Sequence, residues 1–205
     1  MRATPARWRA RVQVLIVGST DTGKSTLART LGAYAARVGR MPTFVDLDIG
    51  QGELSVPGTL SASPLDRRCF SIESGYVDTL PLTYFFGHTS PGAFVEVYRN
   101  SLQRLAENVL RSMAANELAA SSGCIINTMG LVSDVGTELM LDIIKAFQVD
   151  VVVVMDHDRL FMQLSSAVAP LRVPVKLVST GAAAGAGVGA DASAAVPTTG
   201  VTVVK

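Results

Sequence analysis

Residues Gly18-Ser19-Thr20-Asp21-Thr22-Gly23-Lys24-Ser25 fit the spacing G-x-x-x-x-G-K-[ST], the pattern of a loop that wraps phosphate. Each part has a physical task. The backbone N–H groups of such a loop converge on phosphate oxygens, and the positive end of the following helix adds to their field. Glycines at 18 and 23 let the backbone approach an anion and take dihedrals that a β-carbon penalises. The Lys24 ammonium reaches the β- and γ-phosphates, and the Ser25 hydroxyl completes a Mg²⁺ shell. Nucleoside-triphosphate contacts are therefore assigned to residues 18–25 together with Thr26. Phosphoryl chemistry also needs a carboxylate near the metal. Asp46 and Asp48 are the candidates, expected on opposite sides of the chain so that one faces the metal. Asp48, nearer the strand's exit, is assigned to organising Mg²⁺ or to accepting a substrate hydroxyl's proton. Asp46 is read as a structural hydrogen-bonding residue or a support behind the metal.

The elements that must position these groups follow from apolar periodicity. Residues 12–17 read as a short apolar strand, and 24–38 as a helix with Leu27, Leu31, Ala35 and Val38 on one buried stripe. Gly39 stops that helix and Pro42 turns the chain. Residues 43–47 form a second strand, 53–80 an irregular stretch punctuated by Pro57, Gly58, Pro64 and Gly75, and 82–86 a short strand. A helix at 94–113 carries Leu102, Leu105, Ala106 and Val109 on one side. Residues 123–127 form a strand, 135–147 a helix, 150–155 a strand too continuously apolar for a half-exposed position, 160–168 a helix, and 173–178 a last strand. Alternating strands and helices specify an α/β fold, here a P-loop NTPase with a mainly parallel central sheet flanked by helices. Ligands of such sheets bind at the carboxyl ends of the strands. The segments 18–25, 46–51, 87–92 and 127–131 all fall at those ends.

With 205 residues, the chain is read as one domain with a sizeable core. Hydrophobic residues make up 48% and charged residues 17%, against a usual charged share of about 25%, as suits a sheet covered on both faces. A net charge of +1 creates no global field for nucleic acid, so RNA would be held by a local site. Cys69 and Cys124 have no metal-type spacing and read as core thiols. No apolar run approaches the roughly 20 residues needed to cross a bilayer, so no membrane partner is expected. Residues 1–11, with four arginines and no acid, read as a solvated lead-in. The core domain is placed at 12–178. Residues 179–205 read as a flexible Gly/Ala-rich tail, in which Asp191 is the single charge between 180 and 200.

The loop sequence through Thr26, followed by Asp46-Leu47-Asp48-Ile49-Gly50-Gln51-Gly52, resembles the polynucleotide 5′-hydroxyl kinase family. The likeness runs through Ser55-Val56-Pro57-Gly58-Thr59, Gly87-His88-Thr89-Ser90-Pro91-Gly92, Cys124-Ile125-Ile126-Asn127-Thr128-Met129-Gly130 and Val151-Val152-Val153-Val154-Met155-Asp156, covering about 12–178. Its nearest branch is the kinase-like subunit of the pre-mRNA 3′-end cleavage factor, also linked to tRNA splicing. The resemblance implies ATP and Mg²⁺ in the loop, transfer of the γ-phosphate to an RNA 5′-hydroxyl, other cleavage-factor subunits as partners, and a nuclear location. It implies that Lys24, Asp48 and Gln51 act in catalysis and that Ser25 and Asp48 hold the metal. Gln51, Thr89, Thr128 and Gly130 would contact the RNA, the last two as the family's T-x-G-W clasp. His88, at a loop tip, reads as a solvated residue.

Three departures stand out. The clasp Trp is replaced by Leu131, which offers no π-face to a base, a contact worth about 1–3 kcal/mol. The family's lid arginines have no counterpart, since no Lys or Arg lies between Lys176 and Lys205. Arginines of this kind contribute factors of about 10³–10⁵ in rate, and Arg159 or Arg172 are the candidates to substitute. The family's flanking domains are not represented, so partner contacts made by them are expected to be missing. Two rival readings stand beside the kinase: a non-catalytic ATP-binding scaffold of the cleavage complex, favoured by the missing arginines and Leu131, and a small-molecule kinase or ligase-type ATPase on the same loop, against which the Thr128-x-Gly130 segment argues.

Overall fold

The computed structural model describes residues 11–66, 75–76, 79–92, 94–130, 133–169, 175–180 and 203–204. Within them lie the strands β1 (Gln13–Gly18), β2 (Thr43–Asp46), β3 (Thr59–Pro64), β4 (Leu82–Phe85), β5 (Cys124–Asn127), β6 (Val151–Met155), β7 (Lys176–Ser179) and β8 (Val203–Val204). The helices are α1 (Lys24–Arg37), α2 (Val95–Ala114), α3 (Glu117–Ser122), α4 (Asp134–Phe147) and α5 (Asp158–Val168). All eight strands make one sheet in the order β4-β3-β2-β5-β1-β6-β7-β8. From β2 to β8 every neighbouring pair is parallel; β3 runs antiparallel to β2 and β4 antiparallel to β3. The expected α/β class with a mainly parallel sheet is therefore what the chain adopts.

Alternation along the strands divides the core between two faces. Leu15 and Val17 of β1 join a large cluster with Leu102, Leu105 and Val109 of α2, Ile143 and Phe147 of α4, and Leu160 and Leu164 of α5. Ile16 points the other way, into a smaller cluster with Ala28 and Ala33 of α1, Phe44 and Ile125. The α2 stripe read from periodicity is thus buried as expected. The α1 stripe is not. Val38 is 74% exposed, and the buried positions are Ala28, Gly32, Ala33 and Ala36. α1 lies so close on the sheet that a Cβ at Gly32 would stand 2.7 Å from Leu65 Cδ1. Small residues permit that approach, and the leucines flank it half-buried.

Other boundaries also shift. The stretch 53–80 contains β3, whose Leu60 and Ala62 face the core between Ser61 and Ser63. Its small polar residues and terminal Pro64 hide a strand, and proline is tolerated here at the strand's end. α3, capped by Asn116 accepting from Leu118 and Ala119 N–H, is an additional short helix. In β6 only Val152 and Val154 are fully buried, while Val151, Val153 and Met155 are half-covered, because α1 sits over β1 and β5. β8 follows β7, so the strand near 173–178 is not the last. Cys124 is a buried free thiol as expected, with burial pushing its pKa far up. Residues 1–10, Cys69, and all of the tail from 181 except 203–204 lie outside the described residues, as do the expectations placed on them. No described helix is long and apolar enough to cross a membrane.

Candidate functional site

The carboxyl ends of β1, β2 and β5 and the loop after β4 open onto one cavity of about 810 Å³. Its floor is the loop between β1 and α1. Gly18 has φ +153, and a Cβ there would sit 2.6 Å from the Met155 carbonyl oxygen, so only glycine lets β1 turn this tightly beside β6. Gly23, left-handed at φ 83, precedes α1 without any side-chain cap. The first N–H groups of α1 are thereby left for an anion. Thr22 Oγ1 and Lys24 Nζ both donate to the Ser19 carbonyl, at 2.8 and 2.6 Å. Lys24 is 6% exposed. Burial lowers its pKa, and the charges of Asp48 and Asp21 oppose that shift. Of the assigned loop residues, Thr20, Asp21, Gly23, Lys24, Ser25 and Thr26 line the cavity. Gly18, Ser19 and Thr22 form the turn behind them.

The two carboxylates do divide, but not by strand alternation, which would place residues two apart on one face: β2 ends at Asp46, and Asp48 lies in the turn beyond it. Asp48 lines the cavity, its Oδ1 accepting from the N–H groups of Gly50 at 3.0 Å and Gln51 at 3.1 Å. Those bonds fix it at the β2 exit facing Lys24 and Ser25. Asp46 is buried and accepts from Asp48 N–H at 3.1 Å and Glu53 N–H at 2.6 Å. It shapes the loop that holds Asp48. Burial, partly offset by those hydrogen bonds, raises the Asp46 pKa to about 6.

The β5 exit contributes differently from expectation. Gly130 lines the cavity, but its absent side chain serves the phosphate loop: a Cβ there would lie 2.4 Å from Thr20 Oγ1 and 2.5 Å from Thr20 N. Thr128 is 2% exposed and donates to the Ile16 carbonyl at 2.8 Å. It is tied to β1 and is not among the cavity-lining residues. Gln51 and Thr89 do line the cavity and are exposed to it. Leu131 and Arg172 fall outside the described residues, and Arg159, exposed on α5, is not part of the cavity wall.

Two residues escaped the sequence reading. Asn127, the last residue of β5, donates from Nδ2 to Ser25 Oγ at 3.3 Å, while its buried Oδ1 accepts no hydrogen bond. A lone polar residue closing an apolar strand at a ligand-binding edge was the available signal. Arg29 lines the cavity one helical turn beyond Ser25 and makes a two-pronged ion pair with Glu53, both contacts at 3.0 Å. The i, i+4 spacing from Ser25 places it on that face.

The donor set suits Mg²⁺. A hydroxyl at Ser25 and a carboxylate at Asp48 are hard oxygen ligands, and this ion takes few protein ligands while keeping water and phosphate. Among the described residues no three His, Cys, Asp or Glu gather as a metal cage.

A mainly parallel sheet whose first strand turns through this loop into a helix, with a carboxylate opposite at a neighbouring strand exit, defines a P-loop nucleotide-binding domain. Residues 18–186 match the family model described as mRNA cleavage and polyadenylation factor CLP1 P-loop, and the chain belongs to that family. Over 152 residues it is 45% identical to the polyribonucleotide 5′-hydroxyl-kinase Clp1 of Gallus gallus and 44% identical to that of Homo sapiens, covering 74% of this chain and 36% of each relative. The chain thus spans about a third of their length. A solved structure of Clp1p with Pcf11p superposes at a TM-score of 0.70 and 24% identity, over 85% of this chain and 45% of that one, a likeness of fold.

Proposed function

We propose that this domain binds ATP with Mg²⁺ and transfers the γ-phosphate to the 5′-hydroxyl of RNA. The observation that carries the reading is the continuity of one cavity from Lys24 and Ser25, past Asp48, to Gln51 and Thr89. A phosphate-binding floor and an acceptor-side wall share one space, and its volume is within the range of ligand clefts.

In this reading Lys24 exchanges the Ser19 carbonyl for the β- and γ-phosphates, and the uncapped start of α1 supplies further donors. Ser25 and Asp48 would hold Mg²⁺, with the buried Asn127 Oδ1 a further acceptor left without a hydrogen bond beside Ser25. When bound, the ion neutralises phosphate charge and polarises the transferring group. Gln51 and Thr89 orient the RNA end. The RNA 5′-oxygen forms a bond to the γ-phosphorus as the bridging bond to the β-phosphate breaks. Where Asp48 does not hold the ion directly, its free oxygen takes the hydroxyl proton, and ADP leaves. Positioning and fixed electrostatics supply most of the acceleration.

The named activity of the relatives supports this reading, and the Clp1p–Pcf11p complex supports a cleavage-factor subunit as partner. We place the protein in the nucleus, in RNA 3′-end processing or tRNA splicing; imaging of the tagged full-length protein would test the location. A second reading, an ATP-binding scaffold, is favoured by the lack of any Lys or Arg between Lys176 and Lys205. The deciding experiment is transfer of labelled γ-phosphate from ATP to a short 5′-hydroxyl RNA. Transfer that is lost in both Lys24→Ala and Asp48→Asn supports the kinase. ATP binding without any transfer supports the scaffold.

A further inference from the structure

The loop after β4 carries a feature that the phosphate chemistry does not use. Thr89, Ser90 and Pro91 line the cavity. His88, one residue earlier, lies flat on Phe94, with ring centroids 4.6 Å apart and planes 25° from parallel. Phe86 also meets it, at 5.7 Å and 71°, and Phe86 in turn stands edge-on to the fully buried Tyr98. A row of rings therefore runs from the core to the rim of the site. Core packing accounts for Phe86 and Tyr98. It does not account for His88, exposed, or Phe94, 46% exposed. Phe85, at the end of β4, adds a third ring 79% in water.

We propose that the His88–Phe94 stack is a nucleobase platform, on which an unpaired base next to the RNA 5′ end lies while that end sits in the cavity. The proposal rests on the RNA reading of the site. Two observations favour a base as the occupant. His88 is joined to Thr89 by one peptide unit, about 3.8 Å between Cα atoms, so a strand whose end reaches Thr89 passes the stack. Among the described residues lining the cavity the cations are Lys24, assigned to the triphosphate, and Arg29, held by Glu53, so little positive charge is left there to grip a phosphate backbone. Stacking on aromatic or imidazole faces is the contact left to hold single-stranded RNA, and it tolerates any base. Pinned by Phe86 and Phe94, the imidazole presents its face at small entropic cost.

The test uses the full chain with a short 5′-hydroxyl RNA carrying 2-aminopurine as its first or second base. Wild type should quench the fluorophore. His88→Ala should lose the quenching and weaken binding about 5- to 100-fold, with Phe94→Leu intermediate and His88→Tyr restored. An RNA abasic at the same position should bind wild type as weakly as the normal RNA binds His88→Ala. Unchanged Mg-ATP affinity in His88→Ala shows that the site remains folded. Equal quenching in wild type and His88→Ala, or full affinity for the abasic RNA, overturns the platform and leaves the kinase reading standing. Failure of wild type to bind any 5′-hydroxyl RNA overturns both.

Discussion

Gly130→Ala separates two explanations of the same residue. If Gly130 is only an RNA clasp, the substitution weakens RNA and spares ATP. The structure puts the damage on the nucleotide side. The added methyl would meet Thr20 N at 2.5 Å and Thr20 Cα at 2.8 Å, where ordinary contact begins near 3.4 Å. Backbone cannot rotate away as a side chain does, so the phosphate loop must retreat by roughly 0.9 Å at Thr20. Overpacking of this kind costs about 1–3 kcal/mol, and misplacing a reacting group by about 1 Å costs near 10²-fold in rate. Mg-ATP affinity is therefore expected to fall about 5- to 100-fold, followed by titration of a fluorescent ATP analogue and by the nucleotide-induced rise in Tm. Gly92→Ala is the control, because its methyl meets nothing nearer than Ser90 Oγ at 3.8 Å. Wild-type ATP affinity in Gly130→Ala, with RNA binding impaired, would refute the packing argument and restore the clasp.

Three further outcomes are expected. Lys24→Ala removes the cation that faces the phosphates and should abolish stabilisation by Mg-ATP in a thermal-shift assay. Asp46 has a folded-state pKa of about 6 against an ordinary 3.8, so the folded protein binds the extra proton between those values. Its contribution is fully present below pH 3.8 and lost as pH rises through 6, a swing of about 3 kcal/mol; the Tm of wild type relative to Asp46→Asn should fall as pH rises across that window. Arg29→Ala strands the Glu53 carboxylate, 8% exposed, and should cost about 1–3 kcal/mol in urea unfolding, while Arg29→Ala/Glu53→Gln recovers part of it.

What was legible in the sequence was what depends on local pattern. The phosphate loop is contiguous, so its spacing is its structure, and the four strand exits followed once strands and helices alternated. Asp48 over Asp46 followed from its place nearer the strand's exit; the expectation that alternation would separate them did not hold, because β2 ends at Asp46 and the turn beyond it does the separating. What was missed depends on partners distant in sequence. α1 buries its alanines because the sheet beneath allows close approach, which no property of residues 24–38 alone reveals. β3 is held by pairing with β2 and β4, and its serines, poor strand signals by themselves, are satisfied there, Ser61 bonding Thr83 at 3.2 Å. Thr128 resembled a ligand-contact residue by motif. Its hydroxyl had already been claimed by Ile16, 112 positions away.

The antiparallel addition of β3 and β4 to the edge of a parallel sheet has a consequence for how such a domain can change. The cavity wall assigned to nucleotide comes from the β1–α1 loop, α1 and the β2 exit, whereas Thr89, His88 and their neighbours ride on the loop that leaves β4. The two halves share a cavity, yet they are carried by separate stretches of backbone. Substitutions in the hairpin and its loop can retune the acceptor without touching the triphosphate machinery. On the proposed function, phosphoryl transfer and acceptor choice would then be separately heritable traits, each carried by its own stretch of backbone.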